Sequence, residues 1–112
     1  MSEYLYIYRN PAGWPDASPQ QMQQIMQKWM AWMKELGEKG HIKNVGNPLE
    51  TTGKVVKSRQ AIVDGPFAEA KDVVSGYTLV EAKDITQAAQ LATGCPIFEN
   101  GGSVEVRPIR GM

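Results

Sequence analysis

The sequence predicts an α+β chain of ferredoxin-like order, βαββαβ, with an antiparallel sheet carrying two helices on one face. Three observations lead there. Glu3 to Arg9 and Ser103 to Ile109 alternate with period two, as strands do. From Pro19 to Leu36 apolar side chains recur at helical spacing behind a capping motif. A second, shorter helical pattern with an alanine stripe follows Asp84. At 112 residues the chain suits one domain, residues 1–112, with a single core.

In the first strand, Tyr4, Tyr6 and Tyr8 share one face, while Leu5 and Ile7 share the other. The aliphatic face suits helix packing. The tyrosine face is then left uncovered, as an aromatic half of a buried sheet or as a cavity wall with hydroxyl donors. Asn10 to Ala17 reads as a loop broken by Pro11, Gly13 and Pro15, with Trp14 tucked against the domain or forming a lid.

Ser18 is the N-cap of the first helix, with Pro19 at N1 and Gln21 completing a capping box. Met22, Ile25, Met26, Trp29, Met33 and Leu36 form its apolar stripe, widened at the edges by Met30 and Trp32. Core packing explains such a stripe, and an adaptable ligand pocket is the alternative. Gly37 or Gly40 ends the helix. Ile42 to Asn47 reads as a short strand closed by Pro48, and Lys54 to Val63 as a hairpin turning near Ser58 and Arg59.

Asp64-Gly65-Pro66 then breaks the strand into a tight turn. Ser75 to Ala82 alternates again, with Tyr77 and Leu79 opposite Thr78, Val80 and Ala82. Asp84 caps the second helix, with Gln87 at N3, and Gly94 and Pro96 end it. In the last strand Val104 and Val106 face away from Glu105 and Arg107.

Composition excludes several classes. Basic and acidic residues number 12 each and form no block, so neither direct nucleic-acid contact nor a polybasic membrane patch is expected. The single cysteine, Cys95, suits a reducing compartment. No leader pattern or transmembrane-length run appears, so the expected location is cytoplasmic. His41 and Cys95 lack second ligands at metal spacing, so no metal and no cofactor is expected.

Asp64-Gly65-Pro66-Phe67-Ala68-Glu69-Ala70-Lys71-Asp72, then Gly76-Tyr77, then Gly102-Ser103-Val104-Glu105-Val106-Arg107-Pro108 resemble, in order and spacing, the YCII-related or DGPF-domain proteins. The resemblance implies a dimeric α/β barrel, and hence a homodimer. It also implies a functional link to sigma factors, beside or fused to which such proteins occur. A better-studied branch of the wider family uses a histidine of the first helix with a nearby acidic residue. Ser18 to Gly40 contains no histidine, so that role does not carry over.

The chemistry left to the sequence is carboxylates beside aromatics. Asp64, Glu69 and Asp72 lie near Phe67, with Tyr6, Tyr8, Tyr77 and Arg107 as neighbours, and Trp14 and Trp29 as further lining. A carboxylate desolvated by rings can serve as a general acid or base, and an arginine can orient an anion. Asp64 is the candidate catalytic residue, and capping of its own turn is the competing role. The leading expectation is an accessory or sensory module. It binds a small organic ligand between sheet, first helix and Asp64 turn. A cofactor-free enzyme using carboxylate acid–base chemistry is the alternative.

Overall fold

The computed structural model describes residues 1–11, 13, 17–65 and 72–111. The elements are β1 (Ser2–Pro11), α1 (Pro19–Glu38), β2 (Ile42–Asn44), β3 (Gly53–Ser58), β4 (Ala61–Gly65), β5 (Asp72–Ala82), α2 (Ile85–Ala92), a 3-10 turn (Pro96–Asn100) and β6 (Ser103–Pro108). The main sheet is antiparallel, in the order β2-β5-β1-β6, and β3 and β4 pair separately as a hairpin. With the hairpin set aside, this is an α+β arrangement compatible with the ferredoxin-like unit.

Alternation in β1 partitions its side chains as expected, but the faces are exchanged. Tyr4, Tyr6 and Tyr8 are buried in one cluster with Trp32 and Leu36 of α1 and Ala88 and Ala92 of α2. The tyrosines therefore face the helices, and Leu5 and Ile7 lie on the uncovered side. The reason lies in shape and polarity together. Tyr8 meets Trp29 edge to face at 4.7 Å, and Tyr6 stacks on Trp32 at 6.2 Å. Such aromatic pairs stabilise beyond their buried area. The Tyr6 and Tyr8 hydroxyls also find acceptors, which burial demands. Tyr6 Oη donates to the Ala88 carbonyl at 2.5 Å, and Tyr8 Oη donates to Thr78 Oγ1 at 2.7 Å.

Thr78 Oγ1 in turn donates to the Val45 carbonyl at 2.8 Å. That bond holds the segment after β2 against β5. β2 is shorter than the expected strand because the chain turns at Gly46, whose φ is +73°. A Cβ there would lie 1.9 Å from the Tyr77 carbonyl oxygen, so only glycine fits. A register shift in the β1–β5 pairing follows Tyr8 and places Ser75 in a bulge. Ser75 Oγ accepts from Asn10 Nδ2 at 2.5 Å and donates to the Tyr8 carbonyl at 3.3 Å.

The capping box of α1 forms, with Gln21 N–H donating to Ser18 Oγ and Ser18 N–H to Gln21 Oε1. The helix stripe is narrower than its sequence suggests. Only Trp32 and Leu36 are fully buried, whereas Met26 and Met30 are 56% and 65% exposed. Trp32, placed at the stripe edge by spacing, is thus its most central ring. The 3-10 turn had no counterpart in the sequence expectations. It buries Ile97, and Gly102 then closes on β1, where a Cβ would lie 2.6 Å from the Arg9 carbonyl oxygen.

Two substitutions test this arrangement by denaturant unfolding. Tyr6→Phe deletes one hydrogen bond and should cost about 1 kcal/mol. Trp32→Ala leaves a cavity under the tyrosine stripe and should cost about 3–5 kcal/mol.

Candidate functional site

The residues singled out in the sequence divide among separate places. Tyr6, Tyr8 and half-buried Trp29 come together on the helix side of the sheet. Tyr77 and Arg107 lie on the other side, in rows with Ile7 and Leu5 respectively. Asp64 sits in the projecting hairpin, and Trp14, Phe67 and Glu69 fall outside the described residues.

β4 runs on through Asp64 to Gly65, so Asp64 stands in an extended cross-strand pair with Lys54, and the turn expected after it falls outside the described residues. Its carboxylate is 89% exposed and bonded to Lys54 Nζ. Among the described residues the hairpin makes no substantial contact with another element.

The aromatic block is chemically quiet. Burial pushes the Tyr6 phenol up to about 12, with a smaller contribution from neighbouring Cys95. Burial raises Tyr8 further, against a partial lowering by its bond to Thr78. Burial also pushes the Cys95 thiol up to about 12. All are neutral near pH 7, and both phenolic protons are already donated within the core. Cys95 is therefore a small packed residue rather than a nucleophile.

The uncovered face carries the ionised groups. Leu5 faces Leu79 and Ile7 faces Tyr77 across β1 and β5, which makes an apolar stripe. At one end Lys43 Nζ bonds Glu3 at 2.6 Å and approaches Glu81. Glu3 holds this ammonium above its ordinary range, chiefly through that bond. Along the other end Arg9 bonds Glu105 at 3.0 Å and Asp72 at 3.4 Å, and Arg107 bonds Glu105 at 3.1 Å. The bonds from Arg107 and then Arg9 hold the Glu105 carboxyl below its ordinary range. Arg107 is thus engaged with its own neighbour.

A groove of about 280 Å³ lies between the first half of α1 and the 3-10 turn. Gln21, Gln24, Ile25 and Lys28 line it from the helix, opposite Glu99 and Asn100. Lys28 Nζ bonds Glu99 at 2.6 Å across it, and both side chains remain more than half exposed. The sequence expectations missed these residues. Gln21, Gln24 and Lys28 do recur at i, i+3 and i+7 on the helix, a polar row one step from the apolar stripe. Among the described residues no three His, Cys, Asp or Glu gather as metal ligands. No helix there is long and apolar enough to cross a membrane.

The YCII-related domain family matches residues 1–112. The chain is also similar to an uncharacterized protein of Rhizobium meliloti (strain 1021). They are 27% identical over 97 residues, which cover 82% of this chain and 78% of that protein.

The raised acids make alkaline stability a test of the buried site. Cys95 and Tyr6 ionise near their ordinary values of 9.0 and 10.0 once unfolded, but only near 12 when folded. Below about pH 9 both states hold the protons and stability is intact. From there to about 12 the unfolded chain releases protons that the native chain keeps, so stability falls as pH rises. Urea midpoints measured from neutral to alkaline pH should decline over that window. Tyr6→Phe should reduce the slope, and an unchanged slope would contradict the assignment.

Proposed function

The chain belongs to the YCII-related domain family, and we propose that it is a homodimeric small-molecule-binding module whose ligand sits in the groove between α1 and the 3-10 turn. The observation that carries the binding reading is the convergence there of Gln21, Gln24 and Asn100 amides with the Lys28–Glu99 pair beside Ile25. Amides donate and accept, the ion pair can open toward either charge, and Ile25 supplies an apolar wall. This set suits a small polar organic molecule with one apolar edge. Binding has more support than catalysis, because the buried phenols and thiol are neutral and Asp64 is ion-paired in solvent. A sensory role beside a sigma factor is the use to which the family resemblance would put such a module.

The homodimer is supported by the uncovered sheet face. Leu5, Ile7, Leu79 and Tyr77 make a continuous apolar stripe flanked by charges of both signs. Burying that stripe against its own copy would complete a two-layer sheet core and leave the charged ends at the rim. The ion pairs at each end can then bond across the rim without burying a lone charge.

Two measurements test these readings. Compounds that raise the melting temperature in a metabolite screen should bind Gln24→Ala/Lys28→Met at least about tenfold more weakly, a loss of about 1.4 kcal/mol. Retained affinity would place the ligand elsewhere. Sedimentation at micromolar concentration should give twice the chain mass, and Ile7→Lys should give a folded monomer. A wild-type monomer would remove the dimer.

A further inference from the structure

The β3–β4 hairpin is poorly accounted for by its own chain. Among the described residues its strands pair with each other and make no substantial contact with any other element. Val56 and Ile62 face each other directly across the ladder, yet they are 67% and 63% exposed. An isolated two-stranded hairpin in water is marginal and gains stability only when one face is packed. The radius of gyration is 15.3 Å, against about 13 Å for a compact chain of this length.

We propose that this hairpin is an arm that clasps a second copy of this chain, laying the Val56–Ile62 face against the partner. The inference rests on the homodimer reading above and extends it to a second contact region. Charge argues for a copy of the same chain as the occupant. Residues 53–65 carry Lys54, Lys57 and Arg59 against Asp64, a net charge of +2. The whole chain is neutral, so the remainder carries −2. A net-positive hairpin and a net-negative remainder on each protomer attract reciprocally under two-fold symmetry. Connectivity argues the same way. The hairpin leads through residues 66–71 into β5, whose Tyr77 and Leu79 belong to the proposed sheet interface, so one docking event can bury both.

Such an arm would work as a reversible clasp. Val56 and Ile62 supply the apolar contact, while the lysines and arginine at the rim make the association salt-sensitive. The exposed backbone amides of β3 and β4 would exchange freely in the monomer and slowly in the dimer.

The test is the double variant Val56→Lys/Ile62→Lys in the full chain. Both side chains are exposed in the single chain, so its body should remain folded by circular dichroism. The dimer dissociation constant, from sedimentation over a dilution series, should rise at least about tenfold, as expected for losing a central apolar contact. If that variant fails to fold, Val56→Thr/Ile62→Thr keeps strand propensity and removes most of the apolar surface. Independently, hairpin amides 54–64 of the wild-type protein should lose exchange protection on dilution through the dissociation constant. An unchanged dissociation constant, with hairpin amides that exchange freely in the dimer, would overturn the arm and leave the sheet-face dimer standing. A wild-type chain that is monomeric throughout would overturn both. A hairpin that gains protection only with a different acidic protein would overturn self-association as its role.

Discussion

The fold turns on where the tyrosines of β1 can be hidden. A buried phenol must hydrogen-bond, and a run of them on alternate residues must do so inside one narrow layer. Tyr6 spends its proton on the Ala88 carbonyl, which fixes α2 over the sheet. Tyr8 spends its proton on Thr78, and Thr78 passes one on to Val45. That relay pins the segment after β2 and brings Gly46 onto the Tyr77 backbone, where no side chain fits. The same stripe calls for flat partners, and α1 answers with Trp29 and Trp32. Once the tyrosines are committed to the helices, pleating leaves Leu5 and Ile7 on the other side, where among the described residues no helix packs.

This exchange of faces marks the limit of what the sequence shows. Period two states which residues share a face and cannot state which face meets the helices. By polarity alone the aliphatic side chains are the natural helix partners and the tyrosines the exception. Three-dimensional matching decides otherwise, because the hydroxyl acceptors lie at Ala88 and Thr78, far away along the chain. The element order, the capping box at Ser18 and the shared face of Val104 and Val106 are legible because each is local; that this face is the inward one is visible only in the structure. The bulge at Ser75 and the length of β4 are not legible in the sequence, since both depend on register with another strand.

The candidate site shows the same division. Carboxylates and aromatics near each other in sequence point to one cleft. Alternation and the hairpin disperse Asp64, Tyr77 and Arg107 from Tyr6 and Tyr8. The groove uses Gln24 and Asn100 instead, residue types with no distinctive chemical signature in a sequence. The open sheet face holds its ionised groups in pairs, and the phenols and thiol buried in the core are kept neutral. A body organised in that way is well suited to recognition by shape and hydrogen bonding. It also has a reason to cover its open face, since half-buried Leu5 and Leu79 gain most from losing their remaining water.

The claim on which the rest depends is that the tyrosine stripe lies beneath the helices. Nitration of the tyrosine rings, located by mass spectrometry in native and in denatured protein, tests it most directly. Tyr4, Tyr6 and Tyr8 should stay unmodified in the native protein and react once it is unfolded, because each is at most 6% exposed. Native nitration of Tyr6 or Tyr8 at the denatured rate would place the stripe on the open face and contradict the account.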